Sequence, residues 1–238
     1  MRSSAVGQSS QYNWISYFLS HPGHEILLDV PHSFIEDGFN LLELDRVVPH
    51  FKLALSLLLD KDVSKLPDDV TPERAQELAS LLYAFIHQRW VLSPGGLRKA
   101  KTMYKTGLFG HCPRVLCDRH PVLPVGLDSS PCRECVRMYC PLCKEVFLPS
   151  KSSLNGVDGC FYGTSFPQMF LMTFPSLVPK ADVRHYQATV YGFNIYDPEE
   201  RAEELSRNPN YAMFVQSTEG LVDPSNAPPH RRLMDTLY

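Results

Sequence analysis

Between residues 13 and 106 the apolar positions of this chain recur at helical intervals, and the polar residues that interrupt them carry helix-start chemistry. Asn13 precedes Trp14, Ile15, Tyr17 and Phe18, so its side chain can accept from the first unpaired N–H groups of a short apolar helix. Thr71-Pro72-Glu73 combines an N-cap oxygen with a proline at the first helical position, where a missing N–H has no partner to lose. Behind it Ala75, Leu78, Leu82, Phe85 and Ile86 repeat with the spacing of one helix face. Ser93-Pro94-Gly95-Gly96 interrupts that pattern, and Ser93 caps a further short helix ending near Gly107. Pro49 fits the first turn of a helix carrying Phe51, Leu55, Leu58 and Leu59. The stripes predict a helical core over residues 13–106.

At Gly107 the pattern changes. Residues 107–150 are rich in Pro, Gly and Cys, with two short β-type stretches, Arg137-Met138-Tyr139 and Glu145-Val146-Phe147. We read residues 107–160 as a small irregular β subdomain. Residues 151–180 have Gly and Pro punctuation around an apolar run from Phe166 to Phe174, and Val190 to Tyr196 alternates as a strand or extended segment would. The polar residues 1–12 are expected to be disordered, as is most of a divergent tail over 197–238, apart from a short helix near 198–206. The fold class expected is α+β: a helical N-terminal domain, a small β subdomain and an extended C-terminal segment over 161–196.

Composition narrows the functional classes. The chain has 238 residues, 44% hydrophobic and 21% charged, as in ordinary globular proteins. A net charge of -3 gives no electrostatic reason to expect nucleic acid as the main partner. No apolar run reaches the roughly 18 residues of a membrane span. The Ser/Gln-rich start lacks the apolar stretch of a secretory signal, so we expect a cytoplasmic and nuclear protein.

All seven cysteines fall between Cys112 and Cys160. An odd number in short spacings, without a secretory signal, points to metal rather than to disulfides. Cys112 and Cys117 form a C-x4-C pair, and Cys140 and Cys143 a C-x2-C pair, with 22 residues between them as in zinc ribbons. Cys132-Arg133-Glu134-Cys135 is a second C-x2-C pair and could replace the later one on spacing alone. The alternating Glu145-Val146-Phe147 after Cys143 favours the later pair, as does the loop signal Asp-Ser-Ser-Pro before Cys132. Cys160, standing alone, reads as a small buried residue. Four thiolates would close the coordination sphere of a single structural Zn²⁺ and leave no place for an activated water. Catalytic signatures are missing from the sequence: no Gly-rich phosphate loop, no G-x-S-x-G, no H-E-x-x-H and no kinase motif set.

Eight motifs occur in order: Trp14-Ile-Ser-Tyr-Phe18, Phe39-Asn-Leu41, Val48-Pro-His50, Gly110-His-Cys-Pro-Arg-Val115, Leu123-Pro-Val-Gly-Leu127, Tyr139-Cys-Pro-Leu-Cys143, Pro149-Ser-Lys-Ser-Ser153 and Tyr191-Gly-Phe193. Together they closely resemble the regulatory (beta) subunit of protein kinase casein kinase II, from about residue 12 to 196. The resemblance implies a non-catalytic chain with zinc on Cys112, Cys117, Cys140 and Cys143. It also implies a homodimer formed through the ribbon, with Pro113, Val115 and Val146 at family contact positions. Two catalytic kinase subunits would complete the assembly, each docking on Met169, Tyr191 and Phe193. Two large aromatics around Gly192 can enter a partner groove while the glycine allows close backbone approach.

Some positions depart from the family pattern. Cys132 and Cys135 fall where the family has no cysteines. Ser3 and Ser4 precede Ala5 and Val6 rather than the acidic residues of the family's phosphorylated start. The acidic loop matches Asp60 to Asp69, where Lys61 and Lys65 offset four acids, so the response to polycations is expected to be weak. The rival reading is a zinc-ribbon module binding nucleic acid through Arg133, Arg137, Lys144 and Lys151.

Overall fold

The computed structural model describes residues 13–194, except positions 64, 182, 185, 187 and 192, together with Arg207. The expected disordered start and divergent tail, with its helix near 198–206, lie outside the described residues. The described residues up to Arg184 pack as one unit, and those from Tyr186 onward belong to another.

The expected helix starts at Asn13, Thr71 and Ser93 are present, each capped by that residue's side chain. Helix α1 (Trp14–Leu19) begins where Asn13 Oδ1 accepts from Ser16 N at 2.8 Å. Short helices α2 (His32–Glu36) and α3 (Leu44–Val47) follow, and then α4 (Phe51–Leu58). Pro49 stands outside α4, because His50 takes a left-handed conformation (φ 49°) and serves as the N-cap position itself. Helix α5 (Pro72–Leu92) has Thr71 Oγ1 accepting from Arg74 N at 3.2 Å. Helix α6 (Pro94–Lys105) has Ser93 Oγ accepting from Gly96 N at 3.1 Å. Gly95 and Gly96 therefore lie in the first turn of α6 rather than in a linker. A Cβ on Gly96 would stand 2.0 Å from the Trp90 carbonyl oxygen, so the abrupt passage from α5 to α6 requires a glycine there.

Helix α5 is the axis of the core. It buries Ala75, Leu78, Ala79, Leu82, Tyr83, Ala84, Ile86, His87 and Val91, while Phe85 is only half-buried. His87 is fully buried and spans two distant segments. Its Nδ1 lies 2.8 Å from the Phe161 carbonyl oxygen, and Leu28 N donates to its Nε2 at 2.8 Å. Those partners assign the neutral ring with its proton on Nδ1. Burial holds His87 down to about 4, outweighing the opposing effect of the Phe161 hydrogen bond.

The ribbon is a three-stranded antiparallel sheet in the order β1 (Leu123–Val125), β2 (Arg137–Tyr139), β3 (Val146–Phe147). Leu123 faces Tyr139 and Met138 faces Phe147. The apolar run after it forms helix α7 (Phe166–Thr173), which buries Phe166, Pro167 and Phe170. One hydrophobic core continues from α1 through the ribbon to α7, and it includes the four buried cysteines Cys112, Cys117, Cys140 and Cys143. The second unit contains a small hairpin, β4 (Thr189–Val190) paired with β5 (Phe193–Asn194). Of the segment Val190 to Tyr196 read as extended, the last two residues lie outside the described ones, and the rest gains a turn: Tyr191 sits between the strands with φ 50°. No helix among the described residues is long and apolar enough to cross a membrane. The chain is a mixed α+β protein.

Candidate metal centre

Two tight turns present the cysteines. In the first, Cys112 N donates to His120 O at 2.8 Å, and Val115–Cys117 winds into a 3-10 turn. Asp118 and Arg119 then take φ of 48° and 56°, reversing the chain so that His120 N donates to Cys117 O at 2.9 Å. In the second, β2 delivers Cys140 and β3 carries the chain away. Cys140 N donates to Glu145 O at 3.0 Å, Lys144 N returns to Cys140 O at 2.8 Å, and Lys144 takes φ 60°. This is the knuckle between strands that the sequence favoured for the later C-x2-C pair.

The four sulfurs of Cys112, Cys117, Cys140 and Cys143 lie within 4.8 Å of one another, and all four residues are buried. Cys112 Sγ and Cys143 Sγ are 3.8 Å apart. A tetrahedral zinc with Zn–S bonds of about 2.3 Å has sulfur–sulfur edges of about 3.8 Å, so the donor set fits the ion in both kind and spacing. All seven cysteines are free thiols, far from a disulfide arrangement at the cluster. Burial pushes the Cys112 and Cys117 thiols up. Burial acts the same way on Cys143, but hydrogen bonds from the Glu145 backbone and from the other three thiols outweigh it and hold Cys143 below its ordinary value. Four buried sulfur donors converging on one point are an arrangement that a cation completes.

Cys132 and Cys135 are exposed and outside this cluster, while Cys160 is buried as expected of a small core residue. Spacing left the two C-x2-C pairs open, and the difference lies in their positions. Cys140 is at the end of a central strand, whereas Cys132 is in a loop that crosses to Asp158.

The residues expected at protein contacts occupy the surface where the structure describes their side chains. Pro113, Val115 and Val146 are exposed beside the knuckles, Val115 at 87%. Met169 is exposed on the outer face of α7, next to the more open Met172. Tyr191, in the other unit, is 98% exposed at the hairpin turn, and the Phe193 backbone belongs to β5. Three of the four acids in the acidic stretch, Asp60, Asp68 and Asp69, are already partnered. Asp60 Oδ1 accepts from Trp14 N at 2.7 Å, Asp68 lies 3.3 Å from Lys65 Nζ, and Asp69 lies 3.2 Å from His50 Nε2. His87 was not singled out in the sequence, because its partners are 59 and 74 positions away and leave no local signal.

A helical body carrying a ribbon of four converging thiols defines a protein of the metal-ribbon class, with cysteine donors built into its core. The Casein kinase II regulatory subunit family matches residues 13–194, and this chain belongs to that family. It is 38% identical to casein kinase II subunit beta' of Saccharomyces cerevisiae over 206 residues, 84% of this chain and 80% of that one. It is 40% identical to casein kinase II subunit beta of Schizosaccharomyces pombe over 195 residues, 82% and 83% of the two chains. Against casein kinase II subunit beta' of Drosophila melanogaster the identity is 37% over 188 residues, 79% and 86%. The resemblance drawn from the eight ordered motifs holds, and the chain is a regulatory, non-catalytic one.

Proposed function

We propose that this chain holds one structural Zn²⁺ on Cys112, Cys117, Cys140 and Cys143. It pairs with a second copy through the ribbon and docks a catalytic serine/threonine kinase subunit, tuning holoenzyme stability, activity and substrate choice. The observation that carries the reading is the buried four-thiol cluster with exposed apolar Val115 and Val146 on the same module. A two-fold contact would let each such patch meet its own copy and leave water. Two copies with two catalytic subunits make the assembly, resident in cytoplasm and nucleus.

Docking rests on Met169, Tyr191 and Phe193. A tyrosine as open as Tyr191 gains most by burial in a partner, and interface energy concentrates in such aromatics. The nucleic-acid reading loses support from the basic residues themselves: Arg137 pairs with Glu134 at 3.2 Å and Lys151 with Glu25 at 3.8 Å. The test is calorimetric titration of a casein kinase II catalytic subunit into this chain and into Tyr191→Ala/Phe193→Ala. At roughly 2 kcal/mol for each aromatic, the double variant should bind about a thousandfold more weakly, with metal content unchanged. Equal affinity for both proteins would overturn the docking assignment.

A further inference from the structure

Three cysteines stand outside the metal cluster, and the fold gathers them around one carboxylate. Cys135 pairs with Asp158 in an isolated antiparallel bridge. Asp158 Oδ1 accepts from Cys160 N at 2.8 Å, and its Oδ2 accepts from Cys132 N. One carboxylate and two hydrogen bonds thus separate the two backbone nitrogens, which keeps them within roughly 8 Å of each other. A disulfide needs Cα atoms about 4.4–6.8 Å apart, a separation this arrangement allows. Cys132 and Cys160 also line one cavity of about 410 Å³, walled by Phe18, Leu81, Val157 and Phe161, whereas Cys135 does not line it. Cys132 is exposed and Cys160 is buried, so one thiol is open to solutes and the other is shielded. Burial and the neighbouring Asp158 carboxylate push the Cys160 thiol up, keeping it protonated and unreactive until a sulfur is brought to it.

We propose that Cys132 and Cys160 form a redox pair that low-molecular-weight disulfides, of which oxidised glutathione is the type, convert to an internal disulfide. The exposed Cys132 thiolate attacks one sulfur of the incoming disulfide and expels one glutathione thiolate, leaving a mixed disulfide. Cys160 then attacks the Cys132 sulfur, passes its proton to the Asp158 carboxylate and on to solvent, and expels the second glutathione. Two cysteine thiols give up two electrons and two protons, and one glutathione disulfide is reduced to two glutathione thiols. The new bond ties the loop after β1 to the segment lying against α5. Gln88 Nε2 already contacts both sides there, donating to Ser129 O at 3.3 Å and to Cys160 O at 2.8 Å.

The experiment incubates the intact, zinc-loaded chain with oxidised glutathione, alkylates it under denaturing conditions and digests it with trypsin. Cleavage after Arg133 parts Cys132 from Cys135, so each possible pairing gives different linked peptides. Alkylatable thiols should fall from the seven free cysteines to five, with Cys132 linked to Cys160 and the metal content unchanged. Cys160→Ala should stop at one glutathione on Cys132. Linkage of Cys132 to Cys135 in the unmutated chain would overturn the proposal. So would glutathione adducts that never close to a disulfide, or oxidation confined to the metal-cluster cysteines.

Discussion

Along α5 nine side chains are buried, and all but His87 are aliphatic, aromatic or alanine. Around the knuckles the buried set includes four cysteines, while Val115, Val146 and Leu148 lie open to solvent. The helical body is held by apolar area removed from water, spread over many residues. The ribbon has strands of two or three residues and depends on four atoms brought to one point. A core of many contributors weakens gradually under substitution, but a four-donor site loses its function with any one donor. The two regions should therefore fail differently.

Removing the metal gives the largest expected effect. Cys140→Ser, or chelation of the unmutated chain, should release zinc and forfeit on the order of 10 kcal/mol of ribbon stability. The helical signal in circular dichroism should largely persist, and Cys132→Ser should leave metal content unchanged. Equal metal loss in the two variants would erase the distinction between the C-x2-C pairs.

Acid tests the body instead. The folded chain keeps His87 neutral down to about 4, whereas the unfolded chain takes up a proton near the ordinary value of 6.5. Stability should then be full above pH 6.5 and fall progressively toward pH 4, by about 3 kcal/mol from this residue. Urea midpoints across that range should show the slope in the unmutated chain and lack it in His87→Gln, once the response common to both is subtracted. A smaller effect is expected at the start of α5, where Thr71→Ala removes one cap hydrogen bond and should cost about 1 kcal/mol. The smallest concerns the exposed residues of the ribbon. Val115→Glu with Val146→Glu should change the stability of the chain itself by no more than about 0.5 kcal/mol and leave its zinc in place, while light scattering shows monomers. A large loss of stability in that variant would mean that the two valines belong to the ribbon's own packing.

Helix starts were legible because the information is local. Asn13, Thr71 and Ser93 each cap through an oxygen three residues from its donor. The start of α4 was less so, since the left-handed turn at His50 depends on packing that no residue type announces. Strand β1 was hidden by Pro124 in the middle of a three-residue element, and α7 by Gly and Pro on either side of an apolar run without polar spacing. The spacing of the cysteines supplied the right residue types but two candidate pairs. The alternation after Cys143 leaned to the later pair and the resemblance assigned it; the convergence of both turns on one point brings Cys140 and Cys143, and not Cys132 and Cys135, to the cluster. His87 and Asp158 act through partners remote in sequence or through a bridge between loops, and neither carries a motif.

The span of His87 also bears on how the molecule opens. The Leu28 amide proton is held by a ring on α5, 59 positions further along the chain, and that ring is itself held by Phe161. No fraying of a single turn or loop can expose this amide to solvent. Its exchange with deuterium requires the segment around Leu28, α5 and the stretch before α7 to part together, so the amide reports the opening of the whole core. The Ser16 amide in the first turn of α1, held by the Asn13 side chain three residues before it, should exchange far earlier. Leu28 is thus a native probe for whether a bound metal or partner stabilises the entire body or only the surface it touches.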